Sequence, residues 1–337
     1  MKTNRRSILA TATVALATLA LAGTMAAAPR ISALKLVPGD SVAVGMVKLS
    51  ELRTSPLSGR IFNEADKMTC DGDGAKFLAE AGLDPAKDID TITFSIRPNQ
   101  VTTKSDALVV AEGRFDATRV TAALVARGAK EMPTPKGTYY LFEEKSGEAH
   151  DGGKAAIAFL DRGYAVMGSE DAVKGALNAV SRGGTGFTTS TLGSQLSRID
   201  ASASAWMLGD VQRMARLAGD GPDGTPKTEN IFAAVKKMTY VTMWTTDTGD
   251  AIRFGGTAMS DDDETRGLVE DTIRGALSAA RLAAMEKDPE LVELLRKVEV
   301  KRDGDGVSVE ATIPADLLER FHQKAKVAAE AEKVASK

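Results

Sequence analysis

The feature that most constrains the fold is a succession of short strand-like segments interrupted by capped helices. Residues 90–96 alternate polar and apolar side chains with a period of two, which is typical of a half-buried strand. Residues 107–112 form an almost continuous apolar strand, and Asp116 then begins a helix as its N-cap. Antiparallel hairpins broken by helices predict an α+β fold, with a mainly antiparallel sheet and helices packed on one face of it.

The same order of elements occurs twice, which predicts two related halves over residues 37–183 and 190–322. Each half reads as an opening strand, helices, a hairpin, a capped helix, a second hairpin and a terminal helix. In the second half the capped helix begins at Ser260, with Asp263 at the third position of a capping box. A polar, helical or disordered tail is expected over 323–337. The pattern leaves open whether the two sheets are separate or fused into one.

If the halves are related, the hairpin strand of one should superpose on that of the other. The pattern aligns residues 92–94 with 240–242, and the helix begun by Asp116 with the helix begun by Ser260. It also predicts an insertion in the second half at 282–296, without a counterpart between 127 and 139.

Three short motifs mark the junctions of the first half: Val37-Pro38-Gly39-Asp40-Ser41, Gly113-Arg114-Phe115-Asp116 and Val166-Met167-Gly168-Ser169. On these motifs, and from Val37 to His322, the layout resembles exported bacterial proteins of unknown function that carry duplicated α+β halves. The resemblance implies a location outside the cytoplasm and supplies no catalytic residue.

The N-terminus has the three parts of an export signal. Lys2, Arg5 and Arg6 form a positive region, residues 7–28 carry no charge, and Thr24-Met25-Ala26 suits cleavage by a signal peptidase. We therefore predict a signal peptide over 1–26 and a periplasmic or extracellular mature protein without a membrane span. The two adjacent arginines are also compatible with the twin-arginine route, and an uncleaved anchor is the alternative to cleavage.

Charge and residue usage exclude several classes of function. The chain has 43 basic and 46 acidic residues, so it lacks the basic surplus that nucleic-acid binding needs. Its single cysteine, Cys70, rules out an intrachain disulfide and a multi-cysteine metal site. Cys70 is flanked by acids rather than by a base, so a tolerated thiol or an interchain pair is favoured over a nucleophile.

No local catalytic or nucleotide-binding motif is present. His150 lies in a polar loop and His322 in a charged helix, so both are predicted to be surface residues. The glycines at 219, 221 and 224 match a dinucleotide fingerprint in spacing only, because a helical pattern precedes them and acids occupy the loop. We predict no catalytic residue, no metal ligand and no cofactor-binding residue.

Acidic runs at 71–74, 261–264 and 303–306 raise the question of calcium. The first starts like an EF-hand loop but lacks the later ligands. The second suits a helix N-terminus and the third a tight turn. Turn and capping roles are therefore favoured over a calcium site.

Aromatic and polar residues on the strands give two further expectations. Trp206, Trp244 and Tyr240 are either core residues or the lining of a ligand pocket. A polar face is predicted to be solvated or to line a groove between the halves; its residues are Thr91, Thr93, Ser95, Thr239, Thr245 and Thr246.

The function that these observations favour is an exported, soluble, non-enzymatic protein that binds a small ligand or an envelope protein in a cleft between two halves. The alternatives are an exported hydrolase with dispersed carboxylates and a structural envelope component. Two facing buried carboxylates would favour the hydrolase, whereas an apolar channel would favour ligand binding.

Overall fold

An antiparallel sheet of twelve strands organises the part of the chain that the computed structural model describes. The described residues are 32–55, 73–99, 105–143, 154–161, 163–184, 186–218, 237–285, 288–318 and 320. The strands are β1 Ala43–Val47, β2 Ile89–Pro98, β3 Ser105–Gly113, β4 Lys130–Thr134, β5 Gly137–Glu143, β6 Lys154–Asp161, β7 Tyr164–Ser169, β8 Ala205–Asp210, β9 Tyr240–Asp247, β10 Ala251–Met259, β11 Glu299–Asp303 and β12 Gly306–Pro314. Their spatial order is β11-β12-β10-β9-β8-β1-β2-β3-β7-β6-β5-β4.

Helices connect these strands, which confirms the α+β class. They are α1 Leu49–Leu52, α2 Asp73–Ala81, α3 Pro85–Asp88, α4 Ala117–Ala126, α5 Glu170–Arg182, α6 Val211–Ala218, α7 Asp263–Ala284 and α8 Pro289–Arg296. Short 3₁₀ segments lie at Ala33–Lys35, Phe187–Thr189 and Gly193–Arg198.

Side-chain caps define the helix starts, as the sequence predicts for α4 and α5. Asp116 accepts hydrogen bonds from the backbone amides of Thr118 and Arg119, and Ser169 accepts one from Ala172. The predicted cap of α7 is wrong by two residues. Asp262, not Ser260, accepts from the Thr265 amide, while the Ser260 hydroxyl accepts from the amide of Asp262.

One continuous sheet crosses the boundary between the two predicted halves. Strand β1 pairs antiparallel with β2 on one side and with β8 on the other. Gly45, at the middle of β1, leaves space for the ring of its cross-strand partner Phe94. This ring occupies the position where a Cβ would be. The alternative of two separate sheets is therefore excluded.

The expectation that helices pack on one sheet face is wrong, because both faces carry helices. Lys174 of α5 lies over the ring of Tyr139, while α4 packs against the cluster that contains Tyr140. Successive residues of a strand point to opposite faces, so α4 and α5 lie on opposite sides of the sheet. At the other end, α7 packs through Val269 onto Val300 and Val307.

The apolar residues of α7 are only partly buried. Val269 is buried, and Ile273 and Leu277 are half-buried. Leu268 is 47% exposed. The apolar contact of α7 with the sheet therefore follows a narrow i, i+4, i+8 row along the helix.

Of the six polar strand residues predicted to be solvated or to line a groove, three are buried, namely Thr93, Ser95 and Thr246. Thr91 and Thr239 are half-buried, and Thr245 is exposed. Thr242, on the same strand as Thr246, is also fully buried. Thr242 is paired with Leu208, which packs under Phe187. The 3₁₀ segments after α5 cover this face, and the sequence pattern does not reveal them as a lid.

Several predictions fall on residues outside the described ranges. They concern the signal peptide over 1–26, Cys70, His150, the glycines at 219–224, His322 and the tail at 323–337. Among the helices that the structure describes, none is both long enough and apolar enough to cross a bilayer.

Candidate functional site

The main candidate site is an apolar cavity of about 600 Å³ on one face of the sheet, over the second to sixth strands counted from the β11 edge. It lies on strands β1, β8, β9, β10 and β12. Its lining residues are Met46, Val47, Ala205, Trp206, Met207, Met243, Trp244, Thr245, Phe254, Gly255, Gly256 and Val309.

Strand register brings the main lining side chains onto one face in two neighbouring rows. Directly paired residues of adjacent strands point to the same side of a sheet. The first row runs across four strands through Val47, Ala205, Thr245 and Phe254. The second row runs through Met207, Met243, Gly256 and Val309.

Residue size within these rows gives the cavity its shape. Ala205 and Gly256 have little or no side chain and leave space in the middle of the cavity. The larger side chains of Met207, Met243 and Phe254 lie beside that space. Met243 is 53% exposed, which is unusual for a large apolar side chain on a central strand. The helices described on this face pack toward the two ends of the sheet, so they leave the cavity open.

The cavity is chemically uniform, because none of its lining residues is ionisable. Thr245 supplies a hydroxyl group, and the remaining side chains on this face are aliphatic, thioether or phenyl. An ionised ligand group placed here would lose its hydration without gaining a charged partner. The lining therefore suits a neutral, apolar ligand and offers no acid, base or nucleophile to a reaction.

The two tryptophans border the cavity but face mainly the other way. Trp206 packs in the cluster around Phe187 and Leu208, on the opposite sheet face. The ring of Trp244 lies over Gly255, with the guanidinium of Arg253 at 5.4 Å from its centroid. Of the two sequence-based interpretations, core packing describes both rings better than a pocket wall does.

Sequence reasoning missed Met207, Met243 and Phe254 as site residues. The sequence of β8 contains a signal for such a site, because all residues from Ala205 to Leu208 are apolar, including those that point to either face of the sheet. A strand with that pattern has two apolar faces, so each face must be covered or available to a ligand. The covered face carries Trp206 and Leu208, and the cavity face carries Ala205 and Met207.

The acidic runs that fall within the described residues have structural roles. Asp262 caps α7, and the hydrogen bond from the Thr265 hydroxyl is the main cause that lowers the pKa of Asp262. In the 303–306 turn, Gly304 has a positive φ of 53° and Asp305 pairs with Arg198 at 2.6 Å. The described residues contain no group of three histidine, cysteine or acidic side chains placed to hold a metal ion.

Comparisons with known proteins identify a similar fold. No protein-family model matches the sequence, and a search of curated proteins finds no significant match. Among solved structures, crystal form III of TP0453 matches with a TM-score of 0.50 and 9% identity, covering 86% of this chain and 97% of that one. Crystal form I of TP0453 gives a TM-score of 0.47 and 8% identity over 86% and 96% of the two chains. The first match supports the α+β fold alone.

Proposed function

We propose that this protein is a non-enzymatic binding protein that holds a neutral, apolar small molecule in the cavity over its central strands. The observation that carries the proposal is the lining, in which two rows of uncharged side chains border an open cavity of about 600 Å³. This volume falls within the range of about 300–1,000 Å³ that is usual for small-molecule sites. The hydrophobic effect supplies the affinity, at about 25 cal/mol for each Å² of apolar surface removed from water.

The lining also separates this proposal from the hydrolase alternative. Hydrolysis by carboxylates requires an acid and a second carboxylate facing the scissile bond. The cavity has no carboxylate in its lining. An apolar cavity of this kind favours ligand binding over hydrolysis.

The proposal includes export through the signal peptide over 1–26, which makes the mature protein periplasmic or extracellular. The charged start, the uncharged stretch of 7–28 and Thr24-Met25-Ala26 support it. A carrier of apolar molecules has a physical use in such an aqueous compartment, because free apolar molecules there are poorly soluble.

We also propose that the two halves, 37–183 and 190–322, arose by duplication. Outward from the β1–β8 junction, the strand order is β1-β2-β3-β7-β6 on one side and β8-β9-β10-β12-β11 on the other. The first half then continues with β5 and β4. On this view the cavity lies where the halves meet, because β1 contributes Met46 and Val47 and the second half contributes the other lining residues.

A binding titration with a charge substitution tests the function. The probe is N-phenyl-1-naphthylamine, a neutral apolar fluorophore whose emission rises on leaving water. We expect the mature protein to bind it, straight-chain alcohols to displace it, and Met243→Lys to weaken binding at least tenfold by placing an ammonium group in the apolar site.

Met285→Lys is the matched control, since Met285 is also an exposed methionine, at 58%, and does not line the cavity. It should bind the probe like the unmodified protein. Equal binding by both variants would place the probe elsewhere and refute the proposed site.

A further inference from the structure

We propose a second site, on the opposite face of the sheet, that binds a small anion bearing a carboxylate or phosphate group. It is a cavity of about 460 Å³ between α5 and the loop that precedes β1. Its lining residues are Pro38, Gly39, Asp40, Arg97, Ala172, Gly175, Asn178, Ala179, Arg182 and Gly184. Unlike the apolar cavity, this one is lined by two arginines and an amide side chain.

One wall of the cavity is held open by small residues on α5. Ala172, Gly175 and Ala179 follow one another along one side of the helix, and an added Cβ at Gly175 would meet no atom within 4 Å. The opposite wall is the 38–40 loop. Its Pro38 carbonyl accepts from the Ser41 hydroxyl at 2.7 Å, and its Asp40 carbonyl accepts from Arg213 at 2.6 Å. Both walls are therefore fixed by contacts that the ligand does not supply.

Arg97 provides the specific reason to expect an anion. Its Nη2 donates to Asp106 Oδ2 at 3.2 Å, and this hydrogen bond fixes the guanidinium beside the cavity that Arg97 lines. Asp106 is 6% exposed and its other oxygen accepts from Asn99 at 2.9 Å and from Ser169 at 3.1 Å. This carboxylate anchors Arg97 through one of the five N–H donors of the guanidinium, so the group can still donate to an anion in the cavity.

Arg182 supplies a second positive charge at the same cavity. Within the described part of the chain it forms no ion pair, and its side chain is exposed at the end of α5. Two guanidinium groups match the planar, bidentate geometry of carboxylate and phosphate. Asp40 adds one negative charge to the lining, so a ligand with a hydrogen-bond donor beside its anionic group fits better than a bare dianion.

Isothermal titration of the mature protein tests this site, with inorganic phosphate and acetate as probes at constant pH and ionic strength. We expect at least one of the two anions to bind, with one ion per chain. Binding of phosphate alone assigns a phosphate group to the ligand, binding of acetate alone assigns a carboxylate, and both outcomes support the site. If neither anion binds at millimolar concentration, the proposal is wrong.

Cavity filling distinguishes this site from general surface attraction. Gly175→Leu places a side chain in the cavity and should abolish binding, whereas Gly275→Leu, at a helical glycine of α7 with equal free space, should not. Arg182→Gln should weaken binding about tenfold, as expected for a charged hydrogen bond. Its result decides the question if Gly175→Leu does not fold. Undiminished binding by Gly175→Leu in folded form, or by Arg182→Gln, overturns the site.

Discussion

At the residue scale, a single hydroxyl group fixes the point at which β7 passes into α5. Ser169 ends β7 and caps α5: its oxygen accepts from the Ala172 amide at 3.3 Å and its hydroxyl donates to Asp106 at 3.1 Å. The same atom therefore satisfies a free helix amide and a buried carboxylate. Ser169 therefore links the start of α5 to the carboxylate that anchors Arg97 beside the anion cavity.

Removing this hydroxyl should lower the free energy of unfolding. We expect Ser169→Ala to cost about 1–3 kcal/mol, because it removes both the N-cap and a hydrogen bond to the buried Asp106 carboxylate. Urea unfolding followed by circular dichroism measures it. Ser181→Ala, at an exposed serine in the last turn of the same helix, should remain within about 0.5 kcal/mol of the unmodified protein. A loss as large for Ser181→Ala would contradict the capping role.

A second residue-scale feature is the cluster of Tyr139, Glu170 and Lys174. Glu170 Oε1 accepts from the Tyr139 hydroxyl at 2.7 Å and pairs with Lys174 Nζ at 2.7 Å. The hydrogen bond from Lys174 is the main cause that lowers the pKa of Glu170. The hydrogen bonds to Glu170 are the main causes that raise the pKa values of Tyr139 and Lys174.

These pKa shifts predict how stability changes with pH. The contribution of Glu170 is present above its unfolded pKa of about 4.3 and is lost as the pH falls through its lower folded pKa. The contributions of Tyr139 and Lys174 are present below about pH 10 and are lost as the pH rises through their raised folded pKa values. The midpoint of urea unfolding, measured across pH, should therefore change less for Glu170→Gln than for the unmodified protein. The difference should appear at both acid and alkaline pH. Parallel curves for the two proteins would contradict this assignment.

At the scale of elements, β1 decides whether the sheet is continuous. It is the strand through which β2 and β8 are joined, and Gly45 lies at its middle under the ring of Phe94. A methyl group at Gly45 would stand 2.2 Å from Cζ of that ring. The glycine is required by this close approach, not by an unusual backbone angle.

Gly45→Ala should therefore destabilise the protein by about 1–3 kcal/mol, the usual cost of overpacking a core. Gly275→Ala provides the contrast, because its Cβ meets nothing within 4 Å and alanine is a better helix former than glycine. That substitution should stabilise the protein by up to about 1 kcal/mol. Differential scanning calorimetry measures both changes, and a Gly45→Ala protein as stable as the unmodified chain would show that the centre of the sheet is loosely packed.

The sequence predicts most elements, because caps and alternation are local signals. Asp116 and Ser169 identify their helices correctly, and the turn at Gly304 identifies the last hairpin. Strand β4 is missed, since its sequence KEMPT lacks an apolar alternation and contains Pro133. A proline is tolerated there because β4 is an edge strand of the described sheet.

At the scale of the whole molecule, the arrangement of elements could not be predicted in the same way. Thr93 and Thr246 have the pattern of solvated strand residues, yet both are buried. The apolar cavity likewise depends on the pairing of β1 with β8 and of β9 with β10, which brings Val47 near Met243 and Phe254. Such contacts arise from pairing between segments distant in sequence, and local sequence patterns do not predict that pairing.

The two sheet faces thus have opposite characters near the centre of the fold. One face carries an apolar cavity without an ionisable group, and the other carries a cavity lined by Arg97 and Arg182. Since the strands separate them, each site can be altered without touching the other. Met243→Lys should leave anion binding unchanged, and Gly175→Leu should leave binding of the apolar probe unchanged.

Native mass spectrometry of the protein purified from its own cell envelope fraction, without detergent, tests the proposed function most directly. We predict a complex that carries one neutral, apolar molecule, released as a discrete mass on activation and absent from the Met243→Lys variant prepared in the same way. The Met285→Lys control should retain it. A bare protein mass for the unmodified chain, together with no binding of apolar molecules added afterwards, would contradict the proposal that the central cavity is a binding site.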